Sequence, residues 1–240
     1  MSFDCKTPAE VAKVVKENEV RHIDLRFTDP RGKWQHLTQL PDTLDEEAYE
    51  NGIFFDGSSI AGWKAINESD MALIPDPTTC VMDPFAAQPT MIMICDIRDP
   101  MTGELYSRDP RSTAKRAEAH LKNTGIGDTS YFGPEPEFFV FDDVRSEVSM
   151  NHTFYKIDHE EGPYNSGSKF AEGNTGHRPG IKGGYFPVPP VDSAHDLRSE
   201  MVTTLQNMGV TMEKHHHEVA PSQHELGIKF DTLVQSADNV

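Results

Sequence analysis

Cysteine is scarce in this sequence, with three residues among 240, and Cys5, Cys80 and Cys95 are scattered without a C-x-x-C spacing. That arrangement argues against both a disulfide framework and a zinc-finger site. The chain also lacks the pattern of a signal peptide, and no apolar run approaches the length needed to span a membrane. These absences predict a cytoplasmic protein with no membrane partner.

Positive charge is low as well: 22 lysine and arginine residues stand against 39 acidic residues, for a formal net charge of −17. A nucleic-acid-binding protein would normally present a basic face, so nucleic acid is not an expected partner. Glycine-rich phosphate loops are missing too, because neither a Walker A motif nor G-x-G-x-x-G occurs. A nucleotide would therefore have to be held through metal ions and dispersed contacts.

Helical and strand patterns mix throughout the chain, which predicts an α+β fold. Thr7-Pro8-Ala9-Glu10 is a capping box with proline at the first helical position. The elements predicted for the N-terminal part are a helix over 8–18, strands over 20–27, 33–38 and 91–97, a short helix over 42–51 stopped by Gly52, and a loop over 53–63. We place a domain boundary near residue 105, which divides the chain into residues 1–105 and 106–240.

The C-terminal part also alternates between helices and strands. The predicted elements are a helix from Asp109-Pro110 to near Gly125, a strand over 131–141, a polar loop over 145–177, a helix over 193–208, and strands over 210–218 and 226–230. Asp231 then has the position of a cap for one more helix. Because the chain stops at Val240 just as that helix begins, we expect the 240 residues to be the first part of a longer polypeptide.

Two acidic residues in an apolar run suggest a cation site. Glu135 and Glu137 are two apart in a predicted strand, so their side chains should project from the same face. The large apolar residues on either side predict partial burial. Two adjacent carboxylates in a low-dielectric setting cannot both stay ionised at low cost, so one takes a proton or a cation lies between them. The alternative is that both are surface acids on an edge strand.

A second candidate segment packs four histidines and two glutamates into residues 214–225. If the chain reverses at Pro221-Ser222, Glu218 faces Glu225 directly, with Cβ atoms about 5 Å apart. Like charges at that separation repel, and a cation bound between the two carboxylates would offset that repulsion.

The same hairpin register sorts the histidines by face. His216 shares the face of Glu218, while His215 and His217 point away. The alternative is that the histidine run is a solvated strand end. Three or four carboxylates with one imidazole suit Mg²⁺ or Mn²⁺, the hard cations that prefer oxygen, and zinc is less favoured without cysteine. Since Mg²⁺ usually shares its ligands with nucleotide phosphates, the residues alone predict an enzyme that handles phosphate.

Four motifs then point to a family. In chain order they are Phe55-Asp56-Gly57-Ser58-Ser59-Ile60, Gly133-Pro134-Glu135-Pro136-Glu137-Phe138-Phe139, Lys182-Gly183-Gly184-Tyr185-Phe186 and His216-His217-Glu218-Val219-Ala220. Together they resemble the bacterial type I glutamine synthetases, over essentially the whole chain. The resemblance implies a small β-grasp N-terminal domain followed by the first part of a funnel-like α/β barrel catalytic domain.

The resemblance also implies a reaction. ATP phosphorylates the γ-carboxylate of L-glutamate, and ammonia displaces phosphate from γ-glutamyl phosphate to give glutamine. Two divalent ions, Mg or Mn, stabilise the charge on the transferring phosphoryl group. The active site is shared between subunits, so a homo-oligomer is implied, in this family two stacked six-membered rings.

Roles for nine residues follow from the matched motifs. They assign one metal to Glu137, Glu218 and Glu225, the second metal to Glu135, the nucleotide to Glu213, the phosphate-transfer centre to His216, and ammonium binding and deprotonation to Asp56, with Ser59 and Tyr185 near the ammonium pocket. By chemistry alone, Asp56 beside glycine and serines is more typical of a loop cap.

Some features depart from the family pattern or fall outside the chain. The spacing between the acids matching Glu218 and Glu225 is one residue shorter than in some members, which leaves the register open. Segment 145–177 resembles an insertion of enzymes regulated by adenylylation. The remaining metal ligands, glutamate-binding arginines and most ATP contacts would follow Val240, so the 240-residue piece alone is expected to be inactive. The alternatives are a related γ-glutamyl-amine ligase, altered around Asp56 and Tyr185, and a non-catalytic fragment serving as a structural or assembly partner.

Overall fold

The computed structural model describes residues 1–162 and 178–240. In chain order the helices and strands are α1 (Pro8–Glu17), β1 (His22–Thr28), β2 (Trp34–Gln39), α2 (Glu46–Asn51), β3 (Ile53–Asp56), β4 (Asp70–Pro75), β5 (Val81–Met82), β6 (Thr90–Arg98), α3 (Pro110–Thr124), β7 (Tyr131–Phe132), β8 (Glu137–Phe139), β9 (Asp143–Val148), β10 (Thr153–Asp158), α4 (His195–Asn207), β11 (Met212–His217), β12 (Gln223–Ile228), β13 (Asp231–Thr232) and α5 (Leu233–Asn239). The chain divides into two compact units. The first comprises Met1–Phe132, Asn207–Gly209 and Phe230–Val240, and the second comprises Gly133–Gln206 and Val210–Lys229.

A mixed sheet forms the centre of the first unit. Its strand order is β2-β1-β6-β4-β3, and β5 also pairs with β6. β1 and β6 run parallel, whereas the β1–β2, β4–β6 and β3–β4 pairs are antiparallel. Leu25, Leu73 and Met93 are fully buried in its core. The strands predicted over 20–27, 33–38 and 91–97 are confirmed as β1, β2 and β6.

The predicted capping box starts α1. The Thr7 hydroxyl accepts a hydrogen bond from Glu10 N at 3.3 Å, and the Glu10 carboxylate accepts one from Thr7 N at 3.0 Å. These bonds satisfy backbone donors that a helix N-terminus otherwise leaves unpaired. Val11 then faces the core with 1% of its surface exposed. The second predicted helix is shorter than expected, since α2 begins only at Glu46.

The stretch 53–63, predicted as a loop, begins instead with strand β3. Its partner β4 was not predicted, because Met71, Ala72 and Leu73 form a short continuous apolar run that periodicity alone does not assign. All three side chains are fully buried. Only after Asp56 does the chain leave the sheet, in a short 3-10 turn over Gly57–Ser59.

Two helices complete the first unit. As predicted, α3 begins after Asp109, whose carboxylate accepts a hydrogen bond from Ser112 N at 2.9 Å, and it ends at Gly125 with φ of +70°. The helix predicted to follow Asp231 is α5, but its N-cap is Thr232, one residue later.

The second unit contains a sheet with the strand order β11-β12-β8, in which both pairs are antiparallel. Strands β11 and β12 were predicted to pair with each other. Helix α4 was also predicted. An apolar cluster joins the helix to the sheet: it contains Met201, Val202, Leu205, Met212, Leu226 and Ile228. This cluster supports the strands from which the candidate site projects.

The strand predicted over 131–141 is interrupted. Tyr131–Phe132 form β7, which pairs with β13 in the first unit, whereas Glu137–Phe139 form β8 in the second. The intervening residues include Pro134 and Pro136, which have no backbone N–H to donate to a sheet. A continuous strand is therefore not available to this segment.

The loop predicted over 145–177 begins instead as an antiparallel hairpin of β9 and β10. Its tip closes where Ser149 N donates to His152 O at 2.8 Å. The remainder of that prediction, residues 163–177, lies outside the described residues.

In the described part of the chain, no helix is both long enough and apolar enough to cross a membrane. Cys5, Cys80 and Cys95 are free thiols and all three are buried.

Candidate metal centre

Three side chains converge on one face of the hairpin of β11 and β12, in the second unit. His216 pairs with Glu225 across the strands, and Glu218 projects from the same side two residues further along. His216 Nε2 lies 3.2 Å from Glu225 Oε2, and His216 Nδ1 lies 3.8 Å from Glu218 Oε1. One donor atom from each of the three residues can be chosen so that all lie within 4.8 Å of one another. We refer to these three residues as the ligand cluster.

The register differs from the predicted one by two residues. Glu218 was expected opposite Glu225, but Glu218 N donates to Gln223 O at 2.7 Å, and His216 is opposite Glu225. The reversal is longer than the Pro221-Ser222 turn that was assumed. Because the shift is an even number of residues, it leaves every side chain on its predicted face.

A third strand extends the row. Glu137, the first residue of β8, pairs with Glu225. The Glu137 carboxylate accepts a hydrogen bond from Gln223 Nε2 at 2.7 Å. Acidic groups of β8 and β12 and the imidazole of β11 thus lie side by side across three strands.

Glu135 lies outside the strand in which it was predicted. β8 begins only at Glu137, so the two acids do not share a face of one strand, and both are exposed in this chain. The expected partial burial is wrong here, because β8 is an edge strand of its sheet among the described residues. Glu135 nevertheless acts on the cluster electrostatically, since its charge helps to raise the pKa of Glu225.

The electrostatics of the cluster favour a cation. Burial, together with the charges of neighbouring acids, raises the pKa of Glu225, while His216 and Lys214 oppose that rise. The side chains of His216, Glu218 and Glu225 are 10%, 13% and 8% exposed. Two nearly buried carboxylates with one imidazole therefore fit a hard divalent cation such as Mg²⁺ or Mn²⁺.

The opposite face of the hairpin is a buried polar layer. As strand parity predicted, His215 and His217 point away from the cluster. Arg198 of α4, 1% exposed, donates from Nη1 to His224 Nδ1 at 2.9 Å and from Nε to His215 Nδ1 at 3.3 Å. Burial and the charge of Arg198 lower the pKa of His224 to about 4, so this imidazole is a neutral acceptor. Asp192 accepts from Arg198 Nη2 at 2.5 Å and balances its charge.

His217 binds a carboxylate that sequence reasoning missed. Its Nε2 donates to Glu161 Oε2 at 2.8 Å, and its Nδ1 donates to Glu218 O at 2.6 Å. Burial alone would lower the pKa of His217, but its bond to Glu161 outweighs that effect and raises the pKa. Burial likewise opposes ionisation of Glu161, yet bonds from His217, Ser193 and Ser222 lower its pKa to about 2. Glu161 lies within the polar segment 145–177, which was predicted as a loop and gave no signal for this role.

A loop that contains Gly183 and Gly184, called the glycine loop below, packs against the end of β11 and the residues that follow it. Gly184 N donates to Val219 O at 2.9 Å, and a Cβ at Gly184 would lie 2.7 Å from His217 Cε1 and 2.8 Å from Glu218 O. The next two residues, Tyr185 and Phe186, place their rings edge-on to the His216 imidazole, with centroids 5.6 and 4.7 Å away. Tyr185 was predicted near the ammonium pocket and lies beside the ligand cluster. Phe186, with φ of +57°, was not predicted.

The remaining predicted residues are placed as follows. Asp56 caps the 3-10 turn of the first unit: its Oδ1 accepts from Ser58 N at 2.8 Å and its Oδ2 from the Ser59 hydroxyl at 3.2 Å. A hydrogen bond from the Ser58 hydroxyl, together with these two, lowers the pKa of Asp56. Glu213, predicted to bind nucleotide, is exposed at an irregularity of β11 between Met212 and Lys214.

Comparison with known proteins identifies the class. Residues 19–100 match the β-grasp domain of glutamine synthetases, and residues 107–240 match their catalytic domain. The fold is therefore a β-grasp domain joined to part of an α/β catalytic domain, as the sequence predicted. The chain belongs to the glutamine synthetase family.

Individual relatives agree with this assignment. The chain is 62% identical over 232 residues to a glutamine synthetase of Azospirillum brasilense, covering 97% of this chain and 50% of the relative. It is 55% identical over 231 residues to a 3-hydroxylaminophenol mutase of Cupriavidus pinatubonensis, covering 96% and 49%. A cryo-EM structure of Plasmodium falciparum glutamine synthetase matches with a TM-score of 0.88 and 27% identity, covering 99% of this chain and 47% of that one. The chain spans about half the length of the curated relatives it matches.

Proposed function

We propose that this chain is part of a glutamate–ammonia ligase that consumes ATP and forms glutamine through γ-glutamyl phosphate. The observation that carries the proposal is the ligand cluster of His216, Glu218 and Glu225, in a chain that matches both glutamine synthetase domains. The predicted boundary near residue 105 lies between the two matched ranges and belongs to the same proposal.

The donors of the cluster fit one divalent metal ion. Glu218 and Glu225 would supply carboxylate oxygens, Glu137 would join them from the neighbouring strand, and Glu135 would serve a second ion. A divalent ion held there supplies charge that stabilises a transferring phosphoryl group. His216, fixed between the two carboxylates and the rings of the glycine loop, would act at the phosphate-transfer centre.

Asp56 is suited to a different task. Because its hydrogen bonds lower its pKa, the carboxylate is ionised at neutral pH, and an exposed carboxylate of this kind attracts a cation such as ammonium. Ser59 holds that carboxylate in place. We assign ammonium binding to Asp56, nucleotide binding to Glu213, and a place beside the ammonium pocket to Tyr185.

The proposal extends to assembly and location. Asp56 would complete the active site of a neighbouring subunit, so the working protein would be a cytoplasmic homo-oligomer, as in the stacked rings the resemblance implies. A site divided between subunits makes a dilution test possible. Activity should fall when the oligomer dissociates and return on concentration.

The test is formation of glutamine from glutamate, ammonium, ATP and Mg²⁺ or Mn²⁺ by the full-length polypeptide, with glutamine and ADP both quantified. We expect equal amounts of the two products, and at least a hundredfold loss in Glu218→Ala. Residues 1–240 alone should be inactive. Lack of glutamine formation by the full-length protein would refute the ligase assignment.

A second activity is tested in parallel. The related γ-glutamyl-amine ligases remain the alternative within the same chemistry, so polyamines and methylamine replace ammonium in one series. Preference for such an amine would move the assignment to that class. Since a 55% identical relative is named for a mutase reaction, 3-hydroxylaminophenol is included as a further substrate arm.

A further inference from the structure

The Glu161 carboxylate is buried against the hairpin of β11 and β12, called the ligand hairpin below, and accepts four hydrogen bonds. With 3% of its surface exposed, it accepts from Ser222 N at 2.6 Å and from His217 Nε2 at 2.8 Å through Oε2. Through Oε1 it accepts from the Ser193 hydroxyl at 2.7 Å and from Ser193 N at 3.3 Å. One side chain therefore joins the start of α4, strand β11 and the turn between β11 and β12.

The turn needs such a partner because of Ser222. This residue has φ of +57°, a left-handed conformation that is unfavourable for a non-glycine residue. Its backbone N–H points at the ionised Glu161, and its hydroxyl contacts His159 Nδ1. A hydrogen bond from a buried N–H to a charged acceptor is stronger than one to a neutral acceptor, so it opposes this strain.

The backbone conformation of Ser222 sets the position of the next residue, Gln223, and so the hydrogen bonds that Gln223 makes. Gln223 N donates to Ala220 O at 3.2 Å, and Ala220 N donates to the Gln223 side-chain oxygen at 3.0 Å, so the turn is closed by both groups of Gln223. Gln223 O then receives the Glu218 backbone N–H, and its Nε2 donates to Glu137. Two acids of the candidate metal site thus depend on the position of one turn residue.

A second connection runs through β11. His217 bridges the Glu161 carboxylate and the backbone carbonyl of Glu218, with donors at both ring nitrogens. Glu161 therefore fixes the ligand hairpin at two points, on either side of Glu218. The Glu161 side chain itself is on the opposite face of the hairpin from the cluster.

We propose that Glu161 is a positioning residue for the metal centre, which holds the turn and β11 so that Glu218 and Glu137 present their carboxylates toward Glu225. The proposal rests on the function proposed above, since it assumes that the ligand cluster binds a divalent ion. Glu161 is not a ligand. Its contribution is to the geometry of the ligands before an ion arrives.

The test is a Mn²⁺ titration of the full-length protein, with free Mn²⁺ followed by electron paramagnetic resonance. Loss of an outer partner of a metal site typically weakens metal affinity 10–100-fold, so Glu161→Ala should weaken Mn²⁺ binding at least tenfold. Glu161→Gln can keep an oxygen at the Oε2 position, facing Ser222 N and His217. We expect that variant to bind Mn²⁺ more tightly than Glu161→Ala but more weakly than wild type, because the oxygen facing Ser222 N and His217 is kept while the charge is lost and the new amide faces Ser193 N.

Three controls separate the possible results. Glu160→Ala removes the adjacent acid, whose side chain makes no hydrogen bond to the described hairpin residues, and it should bind Mn²⁺ as wild type does. Glu218→Ala removes a ligand and should lose the tight site. In the first unit, buried Arg111 pairs with Asp76, Asp96 and Asp238. Arg111→Lys weakens these ion pairs, so it lowers stability without touching the hairpin and should leave Mn²⁺ affinity unchanged.

The outcomes distinguish this proposal from the one on which it rests. If wild type shows no saturable Mn²⁺ site, the metal assignment itself fails. If Glu218→Ala loses binding while Glu161→Ala does not, the metal site stands and the positioning role is wrong. Should Glu161→Ala not fold, Glu161→Asp takes its place, because its shorter side chain keeps the charge but not the reach. Wild-type affinity in Glu161→Asp would overturn the proposal.

Discussion

Replacement of Arg111 by leucine should destabilise the first unit strongly. The guanidinium is 8% exposed and binds three carboxylates: Nη1 lies 2.8 Å from Asp96, Nη2 lies 2.8 Å from Asp76, and Nη2 lies 2.7 Å from Asp238. Those carboxylates come from the sheet region and from α5, so one side chain joins α3 to both. Leucine fills a similar volume but leaves the carboxylates largely buried, and among the described residues only Lys115 then remains as a cationic partner, bound to Asp96.

The expected loss follows from the imbalance of charge. Removal of one partner from a buried ion pair typically costs about 3–5 kcal/mol, because the other charge remains desolvated. That loss is a large share of a typical unfolding free energy of about 5–15 kcal/mol. With an m value of about 2 kcal/mol/M, the urea midpoint should fall by roughly 1.5–2.5 M. The transition is followed by fluorescence of Trp63, which is 5% exposed in the same core.

Lys13→Leu is the control in the same unit. Lys13 also pairs with a carboxylate, that of Glu17, at 3.8 Å, but both side chains are exposed, by 73% and 59%. Exposed pairs contribute about 0–1 kcal/mol, so the midpoint should shift by less than about 0.5 M. Equal shifts for the two variants, or a shift below about 0.5 M for Arg111→Leu, would refute the reasoning that burial makes the Arg111 network important.

Further expectations concern core packing, pH and the glycine loop. Leu73→Ala, at a fully buried position of β4, should lower the unfolding free energy by about 2–5 kcal/mol in the same urea assay, and a loss below 1 kcal/mol would contradict its place in the core. Burial opposes ionisation of Asp76, but bonds from Thr78 and Arg111 lower its pKa in the folded protein. The ionised carboxylate therefore contributes to the unfolding free energy above about pH 4, and this contribution is lost as the pH falls through the folded pKa. Midpoints measured from pH 6 to pH 2 should therefore fall less steeply in Arg111→Leu than in wild type, and parallel curves would count against this. Gly184→Ala should weaken Mn²⁺ binding about tenfold, because the new Cβ displaces the strand that carries the cluster; unchanged affinity would show that the loop yields instead.

Local signals predicted the elements whose residues determine their own conformation. The capping box at Thr7 starts α1, and the Asp109-Pro110 pair starts α3, because a helix N-terminus needs acceptors that these side chains provide. Gly52 and Gly125 end helices with φ of +85° and +70°, which glycine tolerates best. Such features depend on a few neighbouring residues, so one sequence is enough to find them.

Features that depend on distant partners were harder to predict. β4 is buried on account of its neighbours β3 and β6, and nothing in its own apolar run shows which element it is. The strand predicted over 131–141 failed because its two halves pair in different sheets. Glu161 lies 56 residues from His217 along the chain, so no spacing rule could connect the two. Comparison with known proteins shows that the chain belongs to the glutamine synthetase family. The roles given above to individual site residues are proposals.

Parity explains why the candidate site could still be located with the wrong register. Side chains alternate between the two faces of a strand, so an error of two residues moves partners along the hairpin without exchanging its faces. His216 and Glu225 therefore remain with Glu218 in either register, and His217 and His224 remain on the opposite face. The density of histidines in this hairpin then has two separate causes. One imidazole joins the carboxylates of the ligand cluster, and the others belong to a buried polar layer in which Arg198 and Glu161 supply the matching donors and acceptors. A buried layer of this kind stabilises the hairpin only when its partners are all satisfied, so the precision of the ligand face depends on side chains that never touch it.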